Sequence, residues 1–452
     1  MRRLILMLRR TFFGSGGLAA GVSLAGALWQ GAALAVVGGG PAGPAPRGGY
    51  GGRLPGLGGG EDGPEGHGGG HHTQTHSHET HGGRDSHEAH GGRGSREGRG
   101  GHGHGGRGGP YGPLGPPDAN GISLPAGFTG RVVARSGHKV GGLTWHAAPE
   151  GGACFPDGDG WIYVSNCRVP FLGGASAIRF GPDGAVRDAY RILSGTNLNR
   201  AGGATPWRTW LSCEEAMRGC VFECDPYGVR AAMPRLALGR FRHESAACDP
   251  DREVVYLTED EPDGCFYRFI PIEWGDLTEG RLEVLCGPDG SAPTGPGPVT
   301  WQPVPSPAAV LKAARYQVPA ARHFDGGTGC HYAAGVCHFT TRGDRRVWAY
   351  DAERGLLEVV CDADAPRDGV ENITAGTGGD LYVAGDSEDM EINVVAPDGT
   401  LAPFLRIEGG HRSQITGPAF SPDGHRLYFS AQTGAGRVGS GVTYEVSGPF
   451  RG

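Results

Sequence analysis

The sequence predicts an all-β fold: a six-bladed β-propeller preceded by a signal peptide and a disordered Gly/His-rich tail. From about residue 121 onward, short β-branched and aromatic runs alternate with Gly, Pro and Asp turns, which is typical of a sandwich, barrel or propeller. These runs recur at a regular spacing, and the first 120 residues lack them. We therefore divide the chain into residues 1–35, 36–120 and 121–452.

Residues 1–35 have the layout of a twin-arginine export signal. Arg9 and Arg10 open the stretch RRTFFGSGG, and the apolar stretch that follows ends in a small-x-small site at residues 33–35. A retained membrane anchor is the alternative interpretation. No later segment is apolar for long enough to span a bilayer. We expect export by the twin-arginine machinery to the periplasm or the extracellular space, with no stable membrane span after cleavage.

Residues 36–120 consist mainly of Gly, His, Pro, Arg and Ser, with almost no large apolar side chain. Such a segment buries too little surface to offset its ordering entropy, so we predict disorder. Its many histidines suit zinc, nickel or copper, because neutral imidazole is a good ligand for these metals. A solvated spacer without metal is an equally good interpretation.

Composition narrows the possible partners. The formal net charge of −7 argues against nucleic-acid binding, and we expect a monomer. The eleven cysteines all lie from Cys154 onward. An exported domain with this many can hold disulfides, but the spacings do not give a pairing.

The repeat is defined by an aromatic residue in the second strand of each unit. These residues are spaced by 47, 46, 83, 43 and 46 positions, so one unit carries an insertion. A further strand and a polar turn follow each of them. Four-stranded units of this length, repeated around an axis, are typical of a β-propeller. The aromatic residues are Tyr163, Trp210, Tyr256, Phe339, Tyr382 and Tyr428.

Acidic residues gather at the ends of these strands. In a propeller the innermost strands line the central channel, so first-strand starts and second-strand ends of all blades meet at one mouth. Carboxylates crowded there need cations, and oxygen ligands suit calcium, magnesium, manganese or ferric iron. Solvated loops are the alternative for any single acid. The predicted metal ligands are Glu214, Glu215, Glu244, Glu259, Asp260, Glu371 and Glu388.

Several motifs resemble the PhoX-type alkaline phosphatase family. They are AGGATPWRTWLSCEE, RFRHESAACDP, VVYLTEDEPDGCFYRFIP, HFTTRGDRRVWAYD and ITGPAFSPDGHRLYFSAQ, in collinear order over about residues 145 to 447. The resemblance implies a six-bladed propeller, twin-arginine export, and a central iron and calcium cluster that hydrolyses phosphate monoesters. It matches Glu215 and Glu244 to the CEE and HE motifs of the family, and Glu259 and Asp260 to its acidic strand end. Glu371 stands where the family usually has Asp. Arg242 lies next to His243 and is the predicted catalytic residue, because it can attract phosphate.

Three positions depart from the family pattern. Arg200 stands where the family has a cysteine that ligates iron, Thr328 stands where an acid is usual, and Arg168 follows Cys167 where a glutamate is common. These changes remove a thiolate and two acids and add positive charge. A cation at Arg200 disfavours a ferric ion nearby.

Two functions therefore remain open. The first is an exported metal-dependent phosphatase-like protein that hydrolyses phosphate monoesters in the propeller channel, with reduced activity. The second is a non-catalytic propeller that has lost the metal cluster and binds a ligand or an anion at its arginine-lined mouth. Fold alone does not separate them, because propellers host many functions. In both cases the expected partner is a small phosphate ester or anion.

Overall fold

The structure is a computed structural model that describes residues 109–288, 292, 295–361, 369–386, 390–408, 413–433 and 440–452. The predicted signal peptide and most of the predicted disordered tail lie outside these ranges and stay predictions. Tyr111 is already part of the folded unit, since its hydroxyl contacts Asp380 and Tyr382 at 3.0 and 2.6 Å. Within the described ranges, no helix is long and apolar enough to cross a membrane.

The strands of the described residues form six antiparallel blades in chain order, which confirms the six-bladed propeller. The entry segment holds β1 (Ile122–Ser123), β2 (Thr129–Arg135), β3 (Lys139–Val140) and β4 (Leu143–Thr144). Blade 1 is β5 (Pro149–Asp157), β6 (Gly160–Cys167), β7 (Gly173–Phe180) and β8 (Val186–Thr196). Blade 2 is β9 (Asn199–Ala204), β10 (Trp210–Glu214), β11 (Val221–Cys224) and β12 (Met233–Pro234), followed by a 3₁₀ turn at Leu236–Leu238.

Blades 3 and 4 are separated by the inserted segment. Blade 3 is β13 (His243–Asp249), β14 (Val254–Glu259), β15 (Gly264–Glu273) and β16 (Asp276–Cys286). The insertion holds β17 (Gly297–Pro298), β18 (Thr300–Pro303), a 3₁₀ turn at Ala314–Tyr316 and β19 (His323–Phe324). Blade 4 is β20 (Gly327–Ala333), β21 (Val336–Thr341), β22 (Arg346–Asp351) and β23 (Leu356–Cys361).

Blades 5 and 6 complete the ring. Blade 5 is β24 (Gly369–Ala375), β25 (Leu381–Asp386), β26 (Glu391–Val395) and β27 (Leu401–Ile407). Blade 6 is β28 (Ile415–Phe420), β29 (Arg426–Ala431) and β30 (Val442–Ser447). Its fourth strand is β2, which pairs with β30 from Thr129↔Ser447 to Arg135↔Val442. The two ends of the propeller sequence therefore close one sheet together.

The repeated aromatic residues fill the wedges between neighbouring blades. Tyr163 stacks on Tyr428 of the adjacent blade with ring centroids 4.9 Å apart, and Phe339 stacks on Phe266 at 4.3 Å. Large flat side chains suit this position, because they bury much area and pack well against a second sheet. The regular spacing of these aromatic residues in the sequence thus reflects the regular repetition of contacts between blades.

The insertion is shared between two blades. β15 and β16 form one long hairpin, so the chain up to Cys286 still belongs to blade 3. Beyond it, β18 adds a strand to blade 3 by pairing with β16, and β17 adds a strand to blade 4 by pairing with β23. The insertion therefore joins the outer edges of two blades.

All eleven cysteines are free thiols, so the disulfides that the composition allows are absent from the structure. Cys330 and Cys337 come within 3.4 Å of each other at their sulfur atoms, on adjacent strands of blade 4. The fold is held by sheet pairing and blade packing.

The inner strands converge closely around the axis at one level. A Cβ added at Gly151 lies 2.5 Å from the Ala201 Cα, and one added at Gly329 lies 2.7 Å from the Glu371 carbonyl oxygen. Gly417 also has a φ of 60°, in the left-handed region that favours glycine. These small residues let neighbouring inner strands approach one another closely, and we call this level of the channel the floor.

An aromatic cluster seals the ring where its ends meet. The Phe404 ring lies 5.4 Å from Tyr111, 5.1 Å from Phe128 and 5.5 Å from Phe450, and it is fully buried. The cluster thus joins the entry segment, blade 5 and the C-terminus.

We expect Phe404→Ala to lower the free energy of unfolding by about 3–5 kcal/mol, because it removes the centre of this cluster and leaves a cavity. Denaturant unfolding followed by tryptophan fluorescence measures the loss. Phe171→Ala is the matched control, since Phe171 is 80% exposed. Equal costs for the two substitutions contradict the role given to the cluster.

Candidate functional site

The candidate site begins where each inner strand breaks its pairing with the second strand. In β13, His243 pairs with Glu259 and the next paired residue is Ala246. Equivalent breaks occur in the other inner strands, and bulges of this kind redirect side chains. In five blades, the first residue of the inner strand that loses its partner on the second strand is buried. In β28 of blade 6, the last residue that keeps its partner takes this position and is also buried. These residues are Glu150, Arg200, Glu244, Thr328, Glu371 and Thr416.

Arg200 is the centre of this ring. Its Nη1 lies 3.2 Å from Glu215 Oε2, its Nε 3.0 Å from Glu244 Oε1 and its Nη2 2.5 Å from Glu371 Oε2. The four side chains are at most 2% exposed. Because Arg200 comes from blade 2 and Glu371 from blade 5, the guanidinium must lie near the propeller axis.

Three further arginines cover the ring from the mouth side. Arg168 Nη2 lies 2.7 Å from Glu215 Oε2, and Arg242 Nη2 donates to Glu215 Oε1 at 2.6 Å. Arg342 bridges two acids on the far side of the mouth. It donates to both Asp260 oxygens at 2.5 and 2.6 Å and to Glu371 Oε1 at 3.0 Å.

We call these nine side chains the charged layer. Its acids are buried, whereas the three covering arginines are partly exposed, with 28 to 34% of each side chain accessible. The layer lies directly above the floor of small residues. Its members are Glu150, Arg168, Arg200, Glu215, Arg242, Glu244, Asp260, Arg342 and Glu371.

Burial and the neighbouring arginines shift the pKa values of the acids in opposite directions. Burial raises the pKa of Glu244 well above its usual range, although Arg200 opposes the rise. It also raises the pKa of Glu150 to about 7, against Arg200 and Arg168. For Glu215 the opposing guanidinium groups of Arg200 and Arg168 outweigh burial, and the pKa falls to about 2. Arg200 and Arg168 therefore favour the ionised form of Glu215, whereas burial opposes ionisation of Glu150 and Glu244.

The structure brings several predicted residues together and separates others. Glu215, Glu244, Asp260 and Glu371 meet in the charged layer, and Arg242 joins them. Glu259 instead accepts hydrogen bonds from the Tyr267 hydroxyl at 2.7 Å and from Arg315 Nη1 at 3.0 Å. Its neighbour Asp260 faces the channel, because successive strand residues point to opposite sides. That Glu215, Glu244, Asp260 and Glu371 bind metal together remains a prediction.

Another predicted ligand, Glu214, lies apart from the layer. Glu214 accepts hydrogen bonds from the backbone N–H groups of Asn197 and Cys220 at 2.8 and 2.9 Å, so it holds the loops of blade 2. The predicted ligand Glu388 lies outside the described residues, and its role stays a prediction.

Sequence reasoning missed Glu150. Gln432 Nε2 donates to its Oε1, Gln414 Nε2 does so at 3.3 Å, and its Oε2 has no hydrogen-bond partner. The signal was present: Glu150 precedes two glycines, just as Arg200 precedes Ala201 and Gly202. Aligning the inner strands by these small residues identifies the position.

The acids of the layer do not fit a multi-metal cluster in this arrangement. Ligand oxygens of Glu215, Glu244 and Asp260 lie within 4.8 Å of one another, a spacing suited to one cation. However, guanidinium groups already engage both oxygens of Glu215 and both of Asp260. Only the Glu244 carboxylate lacks a hydrogen bond, and Arg200 Nε lies 3.0 Å from it. A metal ion among these acids therefore requires Arg200 to move away, because the Arg200 guanidinium already lies between them.

Comparison with known protein families gives one match. A family model described as alkaline phosphatase PhoX matches residues 174–220 and 216–355. The matched residues make up less than half of the chain, and over them the chain is similar to the PhoX family. The comparison with curated proteins found no match.

A solved structure confirms the propeller fold of this chain. Pseudomonas fluorescens PhoX, solved in complex with vanadate, a transition state analogue, is 16% identical with a TM-score of 0.62. That match covers 73% of this chain and 96% of the other. A Xanthomonas campestris gluconolactonase is 16% identical with a TM-score of 0.46, and the match covers 75% and 99% of the two chains.

We expect Arg200→Met to lower the free energy of unfolding by about 3–5 kcal/mol at neutral pH, because it leaves buried carboxylates without their shared cation. The loss should shrink in acid, where those carboxylates take up protons. Urea unfolding with a metal chelator present measures it. Arg187→Met is the control, since Arg187 and its partner Asp183 are more than half exposed. Equal stability of Arg200→Met and the parent refutes this role.

Glu150 should make the protein less stable as the pH rises. Burial raises its pKa from the usual 4.5 to about 7 in the folded state, so the protonated form favours folding. The stability that this gives is fully present below about pH 4.5 and is lost as the pH rises through about 7.

Glu150→Gln should therefore stabilise the protein by about 3 kcal/mol near pH 8 and change little near pH 4.5. Thermal unfolding across this range measures the difference, and Glu358→Gln, an exposed acid on β23, is the control. Parallel pH curves for parent and Glu150→Gln are the contrary result.

Proposed function

We propose that this chain is an anion-binding propeller of the PhoX family, in which a buried arginine takes the place of a metal cluster. The carrying observation is Arg200, whose guanidinium lies 2.5 to 3.2 Å from Glu215, Glu244 and Glu371. An ion pair of this depth neutralises the acids that a metal would otherwise neutralise. The proposed ligand is phosphate or a small phosphate ester.

Exposed charge supports an anion at the mouth. The exposed members of the charged layer are all arginines, Arg168, Arg242 and Arg342, with 28 to 34% of each side chain accessible, whereas its acids are buried. An incoming anion therefore meets guanidinium groups before it meets carboxylates.

Arginine geometry suits an oxyanion of this kind. A guanidinium presents several N–H donors in a fixed plane and pairs well with phosphate. Arg168 and Arg342 stand on opposite sides of the mouth, on blades 1 and 4, and Arg242 lies on the blade 2 to blade 3 connection.

The described residues of the mouth offer no side chain activated for attack on a phosphate ester. Burial raises the pKa of the Cys167 thiol, so the thiolate is disfavoured. It lowers the pKa of His243 to about 3, and the His243 ring nitrogen Nε2 lies 3.1 Å from the Gly239 carbonyl oxygen. Binding without turnover is the activity that these residues support.

A second candidate is the metal-dependent phosphatase that the family resemblance implies. The spacing of Glu215, Glu244 and Asp260 favours it, because their oxygens can converge on a cation such as calcium or iron. In that case the metal would supply the charge that activates water and binds the ester. The Arg200 side chain would first have to move away from Glu215, Glu244 and Glu371.

Export through the twin-arginine route is part of the proposal. The paired arginines and the apolar stretch of residues 1–35 support it. The His-rich segment remains a candidate for binding zinc, nickel or copper by itself. A metal titration of the mature chain with and without residues 36–108 separates that activity from the propeller.

Phosphate should bind the purified mature chain without stoichiometric iron or calcium, and the chain should not hydrolyse p-nitrophenyl phosphate. Isothermal titration with inorganic phosphate, together with elemental analysis, tests this. Arg168→Ala should weaken phosphate binding about tenfold, because it removes a charge-assisted contact.

Arg179→Ala is the matched control for this experiment. Arg179 lies in the same blade, pairs with one carboxylate, Asp157, and is similarly exposed, at 35%. Stoichiometric metal with chelator-sensitive hydrolysis supports the metal-dependent phosphatase instead. Failure of phosphate to bind, or equal losses in both variants, removes the anion site.

A further inference from the structure

A basic and apolar surface lies beside the channel mouth, apart from the charged layer. It is built from the loop after β10, the approach to β13 and the inserted segment before the second 3₁₀ turn. We call it the basic–apolar rim. Its residues are Met217, Arg218, Arg240, Val310, Leu311 and Lys312.

The apolar side chains of the rim point into solvent. Met217 is 83% exposed, Val310 66% and Leu311 fully exposed. Single exposed apolar residues are ordinary on protein surfaces, whereas a group of them next to one another marks a contact surface.

Hydrogen bonds fix these loops into one surface. Arg218 Nη2 donates to the Ala308 carbonyl oxygen at 3.0 Å, and the Arg240 N–H donates to the Pro307 carbonyl oxygen at 2.9 Å. Arg240 Nε also donates to the Arg218 carbonyl oxygen at 2.8 Å. The apolar tips thus have a fixed backbone beneath them.

The cations of the rim carry uncompensated charge. Arg218 and Arg240 make their hydrogen bonds to neutral carbonyl groups, and Lys312 is exposed. No carboxylate of the described residues lies within ion-pair distance of any of them, in contrast to the four arginines of the charged layer.

Blade 1 carries a second pair of exposed apolar side chains. Phe171 and Leu172 are 80% and 70% exposed in the loop between β6 and β7. The Phe171 N–H donates to Asn197 Oδ1 at 3.0 Å, and the Asn197 N–H donates to Glu214 Oε1 at 2.8 Å. These hydrogen bonds link the loop between β6 and β7 to Glu214 of blade 2, which lies three residues before Met217 in the sequence.

We propose that the basic–apolar rim docks the propeller on a bilayer surface that contains anionic phospholipid. Exposed Leu, Val and Met side chains enter the boundary between headgroups and acyl chains, and adjacent cations are attracted to the lipid phosphates. Charge selects this occupant over a second copy of the chain, because two rims face to face bring like charges together. The inference goes beyond the proposed anion site and does not depend on it.

Vesicle co-sedimentation of the full mature chain tests the proposal. The parent should bind vesicles in which a third of the lipid is phosphatidylglycerol, and bind pure phosphatidylcholine vesicles far more weakly. Added salt should release it. Leu311→Asp and Lys312→Glu should each weaken binding to the anionic vesicles about tenfold.

Ile272→Asp is the matched control, because Ile272 is also apolar and 78% exposed but lies near the end of β15, away from the mouth. Its binding should equal that of the parent. No binding of the parent to anionic vesicles overturns the proposal. Equal binding by the parent and Leu311→Asp also overturns it, because the attraction then comes from the Arg-containing tail. Competition by inorganic phosphate alone overturns it as well, because the attraction then comes from the charged layer.

Discussion

The guanidinium of Arg200 lies among three glutamates that have almost no access to water, and the centre of the propeller depends on that contact. The acids come from blades 2, 3 and 5, and Arg200 itself belongs to blade 2, so one side chain ties three blades together at the axis. A metal cluster has the same architectural effect in a propeller, because it draws ligands from several blades to one point. Here an organic cation with directional donors does it.

The close convergence of the inner strands explains why this contact is buried. Small residues such as Gly151 and Gly417 allow the backbones to meet below the charged layer, and the arginines of the mouth cover it from above. Between these two levels a carboxylate has little water to stabilise its charge. The acids therefore either pair with arginine, as Glu215 does, or favour the protonated form, as Glu150 does.

Much of this was predictable from the sequence, since the aromatic residue of each second strand marks a contact between blades. The repeat also placed Glu215, Glu244 and Glu371 at one mouth. It did not separate Glu259 from Asp260, because strand register decides which of two neighbours faces the channel. Nor did it find Glu150, or show that Arg342 spans two acids from other blades. Such pairings arise between residues far apart in sequence, and local patterns carry no record of them.

The shared sixth blade has a consequence for the order in which the molecule is made. β2 is among the first of the described strands to be synthesised, yet its partner β30 is the last of them. Arg200 similarly pairs with Glu371, which is synthesised 171 residues later. A nascent chain therefore cannot close the ring until β30 has left the ribosome. A transport route that accepts only finished proteins receives the acids already neutralised, whereas a route that threads an extended chain has to keep them hydrated until the last blade arrives.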